Sequence, residues 1–197
     1  MKEKILKGSQ KIMFSAPHCV NHFRNGKTKA KEVNTDTIVV ELNNRKDVPA
    51  IYKIDSLNED ANWDLNSSYK EACKKYVLEN NVKFFIDVHG MDYRRKEDIC
   101  IGTANGKNLK NYASTTNILK DVFLKYGYKI VTIDTPFSAD NPRCISRSIS
   151  KECNIDAVQI EINNRYRFPE AKEYNLENLI LCFEEIIQII NTSFDNL

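Results

Sequence analysis

Histidine is scarce in this chain, with three in 197 residues. Two of them, His18 and His22, stand four residues apart in SAPHCVNHFRNG (15–26), directly after a run that reads as a short strand. The third, His89, follows the strand-like run VKFFIDV (82–88), with Asp87 two places before it, and Glu161 lies near the end of another such run, AVQIEI (157–162). Imidazole nitrogen and carboxylate oxygen are the ligands of catalytic zinc, which takes three protein ligands and keeps one position for water. His18 and His89 with one carboxylate would complete that share. Glu32, Asp36 and Glu161 are the candidates for the carboxylate, and spacing alone does not choose among them.

The neighbours of these histidines have readings of their own. A carboxylate beside a ligating histidine accepts its second ring proton and fixes the tautomer, which is the role Asp87 offers; a strand-end aspartate also caps backbone. On a helix His18 and His22 would share a face and could both bind metal, but Pro17 and the strand before it place His18 at a strand end or turn, which favours His22 beside the metal or facing substrate over His22 as a ligand. Cys19 follows His18 directly and points elsewhere in an extended chain, as a buried thiol would. A metal-free thiol hydrolase using Cys19 with His22 or His89 is the rival chemistry, separable by chelators and alkylating reagents.

Such residues need a scaffold. KIMFSA (11–16), PAIYKI (49–54), VKFFIDV, DICIGT (98–103), YKIVTI (128–133) and AVQIEI are short, rich in branched and aromatic residues, and read as strands. Between them, Tyr69, Ala72, Cys73, Tyr76 and Val77 recur at helical spacing, and Ser68 with Glu71 predicts a capping box at the start of a helix reaching about Asn80. Leu109, Tyr112, Thr116, Leu119, Phe123 and Tyr126 make a second stripe, closed by Gly127. Leu176, Leu179, Ile180, Phe183, Ile186, Ile187 and Ile190 make a third, and residues 32 to 42 a further helix weakened by the run TDTIVV. This alternation predicts an α/β chain: a three-layer α/β/α sandwich on a mixed, largely parallel sheet, folded as one domain over 1–197. Ligands of open α/β sheets sit outside the carboxyl ends of the strands, where His18, His89 and Glu161 fall.

Composition narrows the partners. Lysine plus arginine number 29 against 27 acids, so no overall field draws the chain to nucleic acid or anionic lipid, and recognition of charge is local. No apolar run reaches the ~20 residues of a spanning helix, and the opening MKEKILKGSQ lacks a signal peptide's apolar stretch; a cytoplasmic location is expected. Six cysteines with no CxxC pair read as free thiols.

In order, SAPHCVNHFRNGKTKAKEVNTD, DANWD, FFIDVHGM and AVQIEINNRYR resemble the N-formylglutamate amidohydrolase family, whose fold is related to that of the zinc carboxypeptidases and of the desuccinylase and aspartoacylase enzymes. The resemblance runs from about residue 8 to 168. It implies a phosphorylase/hydrolase-like fold, one Zn²⁺ per chain held by His18, Glu32 and His89, and Glu161 as general base. The carboxypeptidase-type enzymes place their glutamate three residues after the first histidine, where this chain has Asn21. The implied reaction is hydrolysis of the amide of an N-acylated acidic amino acid such as N-formylglutamate; a carboxypeptidase-like peptidase, another N-acyl amino acid deacylase, or a metal-binding protein without activity are the alternatives. The partner expected is a small molecule carrying carboxylates, which forked guanidinium groups grip best. Arg24, Arg143 and Arg147, in segments that read as loops, are the candidates, Arg24 also for the developing oxyanion; Asn62 resembles an asparagine that helps bind a substrate carboxylate. Arg165 and Arg167 are expected to serve structure or the rim of the site.

Overall fold

A computed structural model describes residues 2–56, 59–168 and 175–195. In chain order the elements are β1 (Glu3–Leu6), β2 (Ile12–Ala16), β3 (His22–Arg24), β4 (Lys27–Lys29), α1 (Thr35–Lys46), β5 (Ala50–Lys53), α2 (Ser68–Glu79), β6 (Phe84–Met91), β7 (Ile99–Gly102), α3 (Tyr112–Lys125), β8 (Val131–Ile133), α4 (Ile145–Cys153), β9 (Asp156–Asn163), a 3₁₀ turn (Asn164–Tyr166) and α5 (Leu176–Asp195). Seven strands form one sheet in the order β1-β5-β2-β6-β9-β7-β8, and β3 and β4 form a separate hairpin. The β5-β2, β2-β6, β6-β9 and β7-β8 pairings are parallel, while β1-β5 and β9-β7 are antiparallel. The sheet is thus mixed and mostly parallel, as expected.

The two faces of the sheet carry two cores. Ile12, Phe14, Ile86, Val88, Val158 and Ile160 pack against Ile38, Val39 and Leu42 of α1, Leu119 and Phe123 of α3, and Leu179, Phe183 and Ile186 of α5. On the other face Met13, Ile51, Phe85 and Ala157 meet Tyr69, Cys73 and Val77 of α2 and Ile145 and Ile149 of α4. Central strands covered on both sides read as near-continuous apolar runs, which is why FFIDVHGM is buried along nearly its whole length. Among the described residues no helix is long and apolar enough to cross a membrane.

Local differences from the expected elements have physical causes. The strand expected over 128–133 begins only at Val131, because the Asp98 carboxylate takes the backbone N–H groups of Lys129 and Ile130 at 2.7 and 2.9 Å. Ser68 is not the cap of α2: Ser67 holds that position without a side-chain cap bond, and Glu71 pairs with Lys74 instead of reaching back. Leu109 precedes α3, although it packs in the same core; Asn111 caps the helix, and Gly127 follows its end at a φ of 92°. The helix expected over 32–42 runs Thr35–Lys46. Finally, the segment holding Arg147 is not a loop but α4, whose buried face is built from Ile145 and Ile149 with small serines between.

Candidate active site

One face of the sheet changes character along its strands. Parallel pairing aligns Phe85 with Ala157, Asp87 with Gln159, and His89 with Glu161, and Ser15 with Asp87 across the β2-β6 pair. Side chains two apart share a face. The face that is apolar over α2 and α4 at Met13, Phe85 and Ala157 therefore becomes polar toward the carboxyl ends of the strands, at Ser15, Asp87, Gln159, His89 and Glu161. β2 ends at Ala16, and the turn that follows carries His18 above this patch.

Glu32 arrives from the segment between the hairpin and α1, tied down by its N–H donating to the His18 carbonyl at 2.8 Å. Its carboxylate stands between the two rings. Glu32 Oε1 lies 2.9 Å from His18 Nδ1 and Oε2 lies 3.2 Å from His89 Nδ1, while the Gly90 N–H donates to Oε2 at 2.8 Å. The ligand atoms of His18, Glu32 and His89 all lie within 4.8 Å of one another. Each ring is gripped from behind by a second carboxylate: His89 Nε2 is 3.0 Å from Asp87 Oδ2, and His18 Nε2 is 2.9 Å from Asp60 Oδ1. With the outer nitrogens so engaged, both Nδ1 atoms are aimed at the common centre. Neither Asp36 nor Glu161 belongs to this group of donors, so geometry favours Glu32 among the three carboxylates.

Asp60 was not singled out from sequence, although DANWD contains it. It sits fully buried and joins three site residues: besides His18, its Oδ2 accepts from Arg24 Nε and lies 3.8 Å from His22 Nε2. His22 stacks flat on His18, ring centroids 3.9 Å apart. His18, His22 and Asp60 also satisfy the spacing of a metal site, but the guanidinium of Arg24 already neutralises Asp60 there. In the Glu32 group, by contrast, both imidazoles turn Nδ1 to the same carboxylate, and the buried Arg167 acts on Glu32 only through space.

Electrostatics agree with that contrast. Burial disfavours a charged His18, yet Glu32 and Asp60 outweigh it and raise its pKa; Asp87 and Glu32 do the same, more strongly, for His89. The two buried imidazoles thus stand among Glu32, Asp60 and Asp87, of which Asp60 is also paired with Arg24. His22 goes the other way, lowered to about 4 by burial and by the nearby His18. Glu161 is pushed up to about 7, chiefly by burial, with His89 opposing and Glu32 adding to the rise. Its Oε1 accepts from Gln159 Nε2 at 2.9 Å. Cys19 is a poor nucleophile: burial raises its thiol to about 12, and Sγ donates to the carbonyls of Ala16 and Lys53. The six cysteines are free thiols.

No family model matches the chain, and no curated protein matches it in sequence. Solved structures do. The N-formylglutamate amidohydrolase of Ralstonia eutropha JMP134 superposes with a TM-score of 0.71 at 11% identity, covering 98% of this chain and 99% of that one. A bacteriophage poly-gamma-glutamate hydrolase gives 0.62 at 16% identity over 99% and 90%. A metallo-carboxypeptidase of Burkholderia cenocepacia gives 0.55 at 11% identity, over 98% of this chain but 61% of its own length. The chain has the zinc carboxypeptidase-like fold.

In this carboxypeptidase-like frame the histidines and Glu161 face a cleft of about 830 Å³ at the carboxyl ends of the strands. Arg24 and Asn62 line it. Asn62 is largely committed to structure, since Oδ1 accepts from the Ile145 N–H at 2.7 Å and so caps α4. Arg143 stacks on Trp63, its guanidinium 5.1 Å from the ring, and Arg147 donates to Asn108 at 3.3 Å; neither lines the cleft, because the helical turn of α4 carries Arg147 away. Arg95 and Arg167 line it instead. Arg167 is buried, bonds the Val33 carbonyl and Asn164, and presses against Gly90, where a Cβ would lie 2.5 Å from its guanidinium. Arg95 follows β6 in a polar loop and packs over the Phe137 ring; nothing in its local pattern marks it.

Proposed function

We propose that this chain is a zinc-dependent amidohydrolase that cleaves the amide of an N-acylated acidic amino acid of the N-formylglutamate type, with one Zn²⁺ per chain held by His18, Glu32 and His89. The observation that carries the reading is the convergence of two Nδ1 atoms and one carboxylate, each ring backed by a buried aspartate. The donor set fits the ion: it is two imidazoles and a carboxylate, the composition of catalytic zinc sites, and the outer nitrogen of each ring is already engaged by an aspartate. When bound, the ion supplies Lewis acidity and makes water nucleophilic near neutral pH.

The chain's own residues do the rest. Glu161, beside His89 and with its carboxyl raised by burial in the metal-free site, takes a proton as water adds to the acyl carbon and delivers it to the amine nitrogen as the carbon–nitrogen bond breaks. Arg24 uses Nε on Asp60, which leaves its terminal N–H groups to meet negative charge developing on the acyl oxygen. Asp60 and Asp87 hold the rings. Arg95 offers a fork for a substrate carboxylate at the cleft wall.

Metal analysis of the purified protein with a hydrolysis screen of N-formyl, N-acetyl and N-succinyl acidic amino acids tests this. Stoichiometric zinc, its loss in His18→Ala and in His89→Ala, and chelator-sensitive turnover are expected. Full zinc occupancy in either variant would refute the site. Activity that resists chelators and dies with alkylation would transfer the chemistry to a thiol.

A further inference from the structure

The lysines of GKTKAKE (26–32) have no part in the reading above. β3 and β4 pair with His22 opposite Lys29 and Arg24 opposite Lys27, so alternation sets these four on one face of the hairpin and Phe23 and Thr28 on the other. His22 shows where that face looks, since it is buried in the cleft against His18. Lys29 and Lys31 line the cleft, and the next residue, Glu32, reaches both ring nitrogens. Lys27, Lys29 and Lys31 are exposed, and among the described residues none of them forms an ion pair with a side chain. Arg24 alone of the row is neutralised, by Asp60. Like charges directly opposed across a hairpin destabilise it; here the Arg24–Lys27 pair flanks the Asn25–Gly26 turn, both residues at positive φ. Residues two apart along extended backbone repeat at ~7 Å, so the cations form a track leading to the candidate metal ligand.

We propose that Lys27, Lys29 and Lys31 form a subsite for an extended acidic oligopeptide, so that the hydrolysed amide belongs to a polyanionic chain rather than to a single N-acylated amino acid. This deepens the proposed function and rests on it. An acidic peptide fits the track better than nucleic acid does. The hairpin's own aromatic residue, Phe23, lies on the face opposite Lys27 and Lys29 and offers them no base-stacking surface. The centre beyond them is the one proposed to cleave an amide, a bond that an acidic peptide carries along its backbone and a nucleic acid does not.

The test uses N-formylated glutamate monomer, trimer and hexamer in α- and γ-linked forms, with the zinc-loaded protein and its Lys27→Gln/Lys29→Gln/Lys31→Gln variant, whose fold is checked by circular dichroism. Binding of a fluorescein-labelled hexamer is measured by anisotropy at low and high salt, with monomer and oligodeoxythymidylate as competitors. The hexamer is expected to bind roughly tenfold more tightly than the monomer, the order of a few exposed charge pairs, and to lose that advantage in the triple variant and in high salt. Equal binding of hexamer and monomer, or an advantage untouched by the triple variant, overturns the subsite. So does an oligodeoxythymidylate that binds more tightly than the hexamer through the same lysines. Hydrolysis of the same ladder separates the two readings: lysine-dependent hexamer binding with no cleavage of any member refutes the amidohydrolase and keeps the subsite, whereas cleavage at length-independent kcat/KM with no hexamer advantage refutes the subsite alone.

Discussion

Glu161 is the residue on which the proposed mechanism turns, and its amide variant separates three roles. Glu161→Gln preserves size, strand position and the contact with Gln159. As general base it contributes ~10²–10⁴-fold, so kcat should fall by that order with zinc content and KM little changed. Near-normal kcat with metal retained would refute the assignment; loss of zinc would make Glu161 a ligand. The same variant carries a pH signature in the metal-free protein. A carboxyl raised from 4.5 to about 7 by folding binds more protons in the native state across that interval, so it costs stability as pH rises through it. The unfolding free energy of Glu161→Gln, read from urea denaturation, should therefore exceed the wild type's by a margin that is small at pH 5 and grows toward pH 8, reaching the order of a few kcal/mol. A margin that stays flat or shrinks with pH contradicts the raised pKa. The carboxylate ligand has its own comparison: Glu32→Gln should weaken zinc binding far more than Asp36→Asn, as Asp36 has no place among the converging donors, and the reverse order would move the ligand.

At the scale of elements, β6 and β9 do most of the positioning, because parallel register alone puts Glu161 beside His89 and Gln159 beside Asp87. That much was legible: strand-end histidines and a strand-end glutamate are visible in a sequence when the strands are. Asp60 was not, because it acts from a turn with no periodic pattern, and its partners His18 and Arg24 are 42 and 36 residues away. α4 was missed for a related reason, its apolar face being only Ile145 and Ile149 among serines, so Arg147, which it carries, was assigned to a loop. Gly90 tests the element argument. It lets Arg167 lie against β6 while its N–H holds Glu32. Gly90→Ala should force Arg167 aside at ~1–3 kcal/mol of stability, the range of overpacking, and weaken zinc binding through Glu32. Urea unfolding and a zinc titration on the one variant read both; unchanged values for each would mean that Arg167 yields freely.

For the whole molecule, the near balance of 29 cations and 27 anions conceals a local arrangement that composition cannot show: Glu32, Asp60 and Asp87 gather about the ring nitrogens of His18 and His89, and Arg24, Lys29, Lys31, Arg95 and Arg167 line the cleft beside Asp92 and Asp140. The two apolar cores lie on opposite faces of the sheet and reach the site only at the strand ends, so the fold should not depend on the metal even though the site does. Removing the ion leaves His18 and His89 to carry the positive charge demanded by Glu32, Asp60 and Asp87, against the cost of burial. A ligand that binds only the native state at about a hundred times its Kd stabilises by ~2.7 kcal/mol, and in a chain of this size each kcal/mol moves Tm by ~2–4 °C. Chelation should accordingly lower Tm by roughly 5–10 °C while far-ultraviolet circular dichroism at room temperature stays unchanged, and zinc should restore both Tm and turnover. Calcium or magnesium should not, since imidazole donors disfavour these hard cations. Loss of secondary structure on chelation would make the ion structural rather than catalytic, and a Tm indifferent to chelator and to zinc would mean that no ion occupies the His18, Glu32 and His89 centre.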